Sequence, residues 1–144
     1  MRAVLELAEL KDEGVISSVE LEARAGVPRN YLTKLLQELQ RHQIVRAVRG
    51  VNGGFALARP ADRITVGEVI RAMDGPLAPI ACASLTVHIP CPTTRCQEEE
   101  ACVMRDMWLE VRNAISEVVD RTTFADLVNR RRARSAEETG SYAI

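Results

Sequence analysis

Residues 26–57 constrain this chain more tightly than any other stretch. Gly26 offers a turn position where the missing Cβ permits positive φ. Pro28 stands two residues later, where helices commonly begin, because its fixed φ suits the first turn and its absent N–H costs nothing there. Leu32, Leu35, Leu36 and Leu39 follow at i, i+3, i+4 and i+7, which lines one side of a helix with apolar groups. The other side carries Arg29, Asn30, Thr33, Lys34, Gln37 and Arg41. Ile44-Val45-Arg46-Ala47-Val48 then alternates like a strand, Arg49-Gly50-Val51-Asn52-Gly53-Gly54 interrupts it, and Phe55-Ala56-Leu57-Ala58 alternates again up to Arg59-Pro60. Two short alternating runs around Asn-Gly-Gly predict a hairpin.

The flanks fit the same plan. Val4, Leu7, Ala8 and Lys11 recur at helical spacing, so a short amphipathic helix opens the chain. Ser17 and Glu20 form a predicted capping box for a second helix ending near Ala25, and Thr65 and Glu68 form another for a helix through about Met73. Aromatic residues make up only 3% of the chain, so Leu, Val, Ile and Ala must build the core, which suits short helices better than a large sheet. The expected fold is mainly α with one small β-hairpin: a winged helix-turn-helix over residues 1–73.

Residues 74–101 break the pattern. They hold prolines 76, 79, 90 and 92 and three of the four cysteines, without sustained periodicity. A structureless segment of this length inside a compact domain calls for a function or for something that orders it. After Cys102 a long helix resumes, with Met104, Met107, Trp108, Val111, Ala114, Ile115, Val118 and Val119 at three- and four-residue steps. Its apolar side exceeds what so small a domain can cover, and pairing with a twin helix in a homodimer buries the excess. Thr122 and Thr123 predict the start of a last helix through about Arg132, within a dimerisation unit of residues 102–132. Residues 133–144 read as a disordered polar tail.

Net charge is −1, but the charges are unevenly placed. From Arg24 to Arg63 there are eight basic residues (Arg24, Arg29, Lys34, Arg41, Arg46, Arg49, Arg59, Arg63) and two acidic ones, Glu38 and Asp62. A local basic excess on a winged fold is an electrostatic footprint for phosphate. A helix fits the major groove and presents its leading residues to base edges; here these are Arg29, Asn30, Tyr31, Thr33 and Lys34. The hairpin tip at Asn52 and Gly53 allows close approach, and Arg49 at its base suits the narrow, negative minor groove. A double-stranded operator is the expected partner. The bland alternative is a winged helix used for protein contact, with these charges merely solvated.

Other classes are less well supported. No Gly-rich phosphate loop, nucleophile with a histidine partner, or metalloprotease His-Glu pair is present, so an enzyme is not expected. Arg2, Glu6 and Glu9 interrupt residues 1–10, and nothing approaches the roughly 18–20 apolar residues of a membrane span. The expectation is a cytoplasmic protein with no membrane partner.

In the cytoplasm, four cysteines suggest metal ligation or redox sensing rather than structural disulfides. Cys91, Cys96 and Cys102 are spaced C-x4-C-x5-C, and Cys82 lies nine positions before Cys91. Thiolates select iron–sulfur clusters, zinc or copper(I). Three readings stay open: an iron–sulfur sensor, a metal-free thiol switch whose thiolates are favoured by Arg95 and Arg105, and a structural zinc, which the x5 step fits less well. A cluster carrier that merely keeps the winged fold is a further alternative.

Gly26-Val27-Pro28-Arg29-Asn30-Tyr31-Leu32, Val48-Arg49-Gly50-Val51-Asn52-Gly53-Gly54-Phe55 and Ile64-Thr65-Val66-Gly67-Glu68-Val69-Ile70, followed by the cysteine loop, resemble the IscR-like family of regulators. The resemblance runs from Met1 to Arg130. It implies a homodimeric winged-helix regulator, repressors among its kin, that binds a partly palindromic operator. Tyr31, Thr33 and Lys34 take the recognition positions and Arg49 is the wing's minor-groove arginine. It also implies that Cys91, Cys96 and Cys102 hold an iron–sulfur cluster, of the 2Fe-2S or 4Fe-4S type. The x4 spacing is shorter than the family's usual first step. Arg105 stands where one branch has a histidine ligand, which leaves Cys82, His88 or one of Glu98, Glu99 and Glu100 for the fourth position, with Cys82 preferred for its softness.

Overall fold

A computed structural model describes residues 1–10, 14–91 and 99–140. In chain order it contains α1 (Arg2–Glu9), α2 (Ser18–Ala25), α3 (Arg29–Arg41), β1 (Val45–Val48), β2 (Gly54–Leu57), α4 (Val66–Asp74), α5 (Val103–Arg121) and α6 (Phe124–Gly140). Single 3-10 turns occupy Ala61–Arg63, Ala81–Ala83 and Glu99–Ala101. The mainly helical architecture with one hairpin matches the sequence reading, and α5 begins directly after Cys102.

Local chemistry sets these boundaries. Gly26 takes the left-handed conformation at φ 62° and closes α2. The Thr65 hydroxyl accepts from the Glu68 amide at 3.2 Å, while the Glu68 carboxylate accepts from the Thr65 amide at 2.9 Å, completing the box at α4. Thr123 and Asp126 form a similar reciprocal pair at the start of α6. At α2 only half of the expected box forms. Ser17 Oγ accepts from the Glu20 amide, but the Glu20 carboxylate turns to Arg24 one helical turn on, where an opposite charge competes with an amide for it.

The strands pair antiparallel, with Val45 opposite Leu57 and Val48 opposite Gly54. Ile16 bridges Phe55 and adds a short third rung beyond the predicted hairpin. Gly54 is needed there, because a Cβ would collide with the Ile16 carbonyl.

One core unites Val4, Leu7, Ile16, Leu21, Leu32, Leu36, Leu39, Ile44, Ile64, Val69 and Phe124. Phe124 is wholly buried, so α6 closes the bottom of the N-terminal unit rather than standing apart with α5. Arg131 of α6 reaches Glu6 of α1 at 2.8 Å and anchors the docking. The helix then runs on to Gly140, past the end expected near Arg132. Its polar 133–140 stretch has no apolar stripe to betray a helix, yet Ala133, Arg134, Ala136 and Glu137 are good helix formers. Residues 141–144 of the expected tail lie outside the described residues.

The segment after α4 is more ordered than its sequence suggests. Cys82, Ala83 and Ser84 are buried at the Ala81–Ala83 turn, which packs on α5. α4 also packs on α5, where Arg71 donates to both Asp120 oxygens at 2.6 and 2.8 Å. Gly67 permits this approach, since a Cβ there would collide with the Asp120 carboxylate.

These hydrogen bonds from Arg71 hold the Asp120 carboxyl below its ordinary value of 3.8, against an opposing effect of burial. A lowered folded-state value means that the pair's contribution is present above the unfolded value and is lost as pH falls through the folded one. The difference in melting temperature between wild type and Asp120→Asn should be constant above about pH 5 and shrink as pH is lowered below about 4. A difference that stays flat down to about pH 2 contradicts this junction.

Candidate nucleic-acid interface

The buried leucines of α3 decide which way the rest of the helix points. Leu32, Leu36 and Leu39 are buried, whereas Arg29, Asn30, Tyr31, Thr33, Lys34 and Gln37 are exposed. Tyr31, an aromatic residue in a chain with few of them, is 59% exposed. Pro28 precedes the helix and has no side-chain oxygen to cap it. Glu22 of α2 supplies the acceptor instead, taking the Arg29 amide at 3.1 Å. That bond ties the leading end of α3 to α2.

Within the described residues, the side chains of Arg29, Asn30, Tyr31 and Lys34 make no hydrogen bond or ion pair. Thr33 is different: its hydroxyl donates to the Arg29 carbonyl at 2.9 Å, which leaves its lone pairs as acceptors. The exposed end of α3 thus presents two cations, an amide, a phenol and a hydroxyl oxygen.

The eight basic residues divide into two groups. Arg59 spans the Gln43 and Arg63 carbonyls and Glu68, and Arg46 donates to the Leu57 carbonyl across the hairpin; both are structural. Arg24 and Arg41 pair with acidic neighbours on their own helices, exposed contacts that hold little energy. Arg29, Lys34, Arg49 and Arg63 have no acidic partner among the described residues. Three of these four belong to the leading end of α3 or the base of the hairpin turn.

At that turn Arg49, Val51 and Asn52 are exposed. Gly50 adopts φ 124°, and its carbonyl accepts from the Gly53 amide at 3.0 Å. Gly53 is therefore required by the turn itself, because a Cβ would press on the Val48 carbonyl. Its N–H is used internally, so Arg49 and Asn52 carry the turn's outward polar chemistry.

The cysteines sit at the junction with α5. Cys102 is the N-cap residue of α5 and is half-buried, as is Cys91; Cys82 is buried in the Ala81–Ala83 turn. Cys96 lies outside the described residues, as does Glu98. Two hydrogen bonds bring the described stretches to one place: Ile89 N–H to the Ala81 carbonyl at 3.4 Å, and Arg105 Nε to the Cys82 carbonyl at 3.0 Å. Among the described residues, no three His, Cys, Asp or Glu side chains stand close enough together to hold a metal. His88 and Glu100 are both exposed. Sequence reasoning gave Arg105 no structural part, and its bond to a backbone carbonyl leaves no mark in residue spacing.

A helix presenting free donors beside a glycine-turned wing defines a winged helix-turn-helix DNA-binding regulator. The chain belongs to the Rrf2 family, described as iron-dependent transcriptional regulator, whose model matches residues 1–130. This is a family of transcription regulators, not enzymes. The chain is 32% identical over 127 residues to the HTH-type transcriptional regulator IscR of Sodalis glossinidius, covering 88% of this chain and 72% of the relative. It is 30% identical over 126 residues to the HTH-type transcriptional regulator CymR of Bacillus subtilis, covering 88% and 81%. The solved structure of CymR, the global cysteine regulator of B. subtilis, is similar at a TM-score of 0.70 and 29% identity over 90% of this chain and 89% of that one. Among the described residues, no helix is long and apolar enough to cross a membrane.

Proposed function

We propose that the chain works in the cytoplasm as a homodimeric, operator-binding transcription regulator whose DNA affinity is set by the cysteine segment. The observation that carries this reading is that donors on α3 and Arg49 on the wing, side by side in the fold, have no partner among the described residues. Tyr31, Thr33, Asn30 and Arg29 read base edges in the major groove, Lys34 holds phosphate, and Arg49 and Asn52 lie along the minor groove.

The twin subunit seats on α5. At 3.6 residues per turn, Val103, Met104, Met107, Ile115 and Val118 share one side of that helix, and all five are exposed. A contiguous apolar stripe of this kind is a mark of an association surface. The opposite side meets the chain's own α4 and the Ala81–Ala83 turn, so the stripe is left for a second copy. Two-fold pairing then spaces the recognition helices by about one DNA turn, roughly 34 Å.

Cys91, Cys96 and Cys102 hold an iron–sulfur cluster in this reading, with Cys82 as a candidate fourth ligand. The donor set suits it: thiolates are the ordinary ligands of such clusters, and the described cysteines share the junction of the Ala81–Ala83 turn with α5. A cluster supplies sensitivity to oxidants and iron supply. The chain's own part is to couple the state of the cysteines to the seating of α4 on α5, and so to the spacing of the winged units. A metal-free thiol switch on the same cysteines is the alternative reading, with Arg105 at the start of α5 able to favour a thiolate.

Two experiments test these readings. In gel shifts with genomic fragments, Lys34→Ala and Arg49→Ala should each weaken binding and lower the slope of log affinity against log salt by about 0.9. Unchanged slopes remove these residues from the interface. Anaerobically purified wild type should be brown, with iron and sulfide, and the Cys91→Ser/Cys96→Ser/Cys102→Ser triple variant colourless with altered operator affinity. A colourless wild type whose affinity follows thiol oxidation replaces the cluster with a thiol switch, and equal affinity of wild type and variant under all redox conditions ends the coupling proposal.

A further inference from the structure

Away from the DNA-facing surface, a cavity of about 300 Å³ opens between the end of α4, the segment after the Ala81–Ala83 turn, and α5. Pro76, Leu77 and Leu85 give it apolar walls, and Ser116 and Thr86 add hydroxyls. Arg112 also lines it and is only 8% exposed. Nη2 of Arg112 donates to the side-chain oxygen of its neighbour Asn113. Nε and Nη1 are buried and find no acceptor among the described residues.

A buried guanidinium without a counter-ion is costly, because desolvation is not repaid by pairing. Among the described residues Asp120 is the one acidic group lining the cavity, and Arg71 already occupies both its oxygens. The described lining groups therefore carry one uncompensated positive charge. Arg112 lies at the edge of the α5 side that carries Arg105, Ser116 and Asp120, about 60° from Ile115 and about 120° from Val118.

We propose that this cavity is an effector site for a small monocarboxylate, which places its carboxylate on Arg112 and its apolar body against Pro76, Leu77 and Leu85. One negative charge balances one guanidinium, whereas a phosphate dianion overshoots it, and planar carboxylate oxygens suit the guanidinium fork. The volume is at the small end for ligand pockets. Leu85 and Thr86 form an exposed outer wall, so the cavity is reached from the surface without moving a helix. A ligand held there ties the segment after α4 to α5, the same junction through which the proposed regulation runs. The site rests on that regulatory reading only for its consequence; binding itself is measured without DNA.

The test is thermal unfolding of the full-length chain with about 10 mM propanoate, lactate or benzoate, each beside its own amide and beside inorganic phosphate at matched ionic strength. At least one acid should raise the melting temperature saturably by several degrees, with the amides and phosphate inert. The shift should vanish in Arg112→Gln and in the cavity-filling Ser116→Leu, checked for native circular dichroism; Ser116→Leu decides the matter where Arg112→Gln fails to fold. The proposal is overturned by no shift with any acid, by an amide or phosphate matching the acids, or by a shift that survives in a folded variant. Loss of DNA regulation with binding intact would instead count against the regulatory reading alone.

Discussion

Burial of Leu32, Leu36 and Leu39 in one cluster with Val4, Leu21 and Ile44 fixes the rotation of α3 about its own axis. Each such side chain gains about 1.5–3 kcal/mol on leaving water. Turning α3 by a single residue would expose several of them together, a cost comparable to the whole stability of a small domain. The polar side of α3 is therefore held outward by the core and not by its own contacts. That is why Arg29, Asn30, Tyr31 and Lys34 remain unpartnered within the described chain: the energy that orients them comes from the opposite side of the helix. Glu22, accepting the Arg29 amide, sets the leading end.

The second half of the molecule is joined to this reading head where α4 packs on α5 and where α6 packs on α1. Arg71 and Asp120 clamp α4 to α5, Gly67 makes room for them, and Phe124 carries the chain back into the N-terminal core. A change at the Ala81–Ala83 turn or at the start of α5 has a short mechanical path to the winged unit. Cys82, Cys102 and the Arg112 cavity border that path, which places two chemically distinct candidate inputs, soft metal or redox chemistry and an organic anion, at a single junction.

Much of this was legible in the sequence because periodicity reports burial. The leucine spacing of α3, the Asn52-Gly53 turn and the Thr65–Glu68 box each have a local physical cause, so each could be read without the fold. Phe124, Arg112 and the Ile16–Phe55 bridge could not, since their partners are distant in the chain. The expected stop of α6 near Arg132 relied on loss of an apolar stripe, whereas helix-forming residues carry it on to Gly140. The sequence marks Gly53 as a DNA-approach residue, and its turn places an additional, internal demand on it. The proposed fourth ligand, Cys82, proved to be buried in a 3-10 turn that the proline-rich composition concealed.

The central claim is that two copies of α3, each turned outward by its leucines, read DNA as a symmetric pair. Selection of the full-length protein against a random duplex library tests it most directly. The expected result is an inverted repeat whose half-sites are centred about 10 base pairs apart, or a multiple of that spacing. Enrichment of a single unrepeated site, or of no sequence at all, would contradict the account.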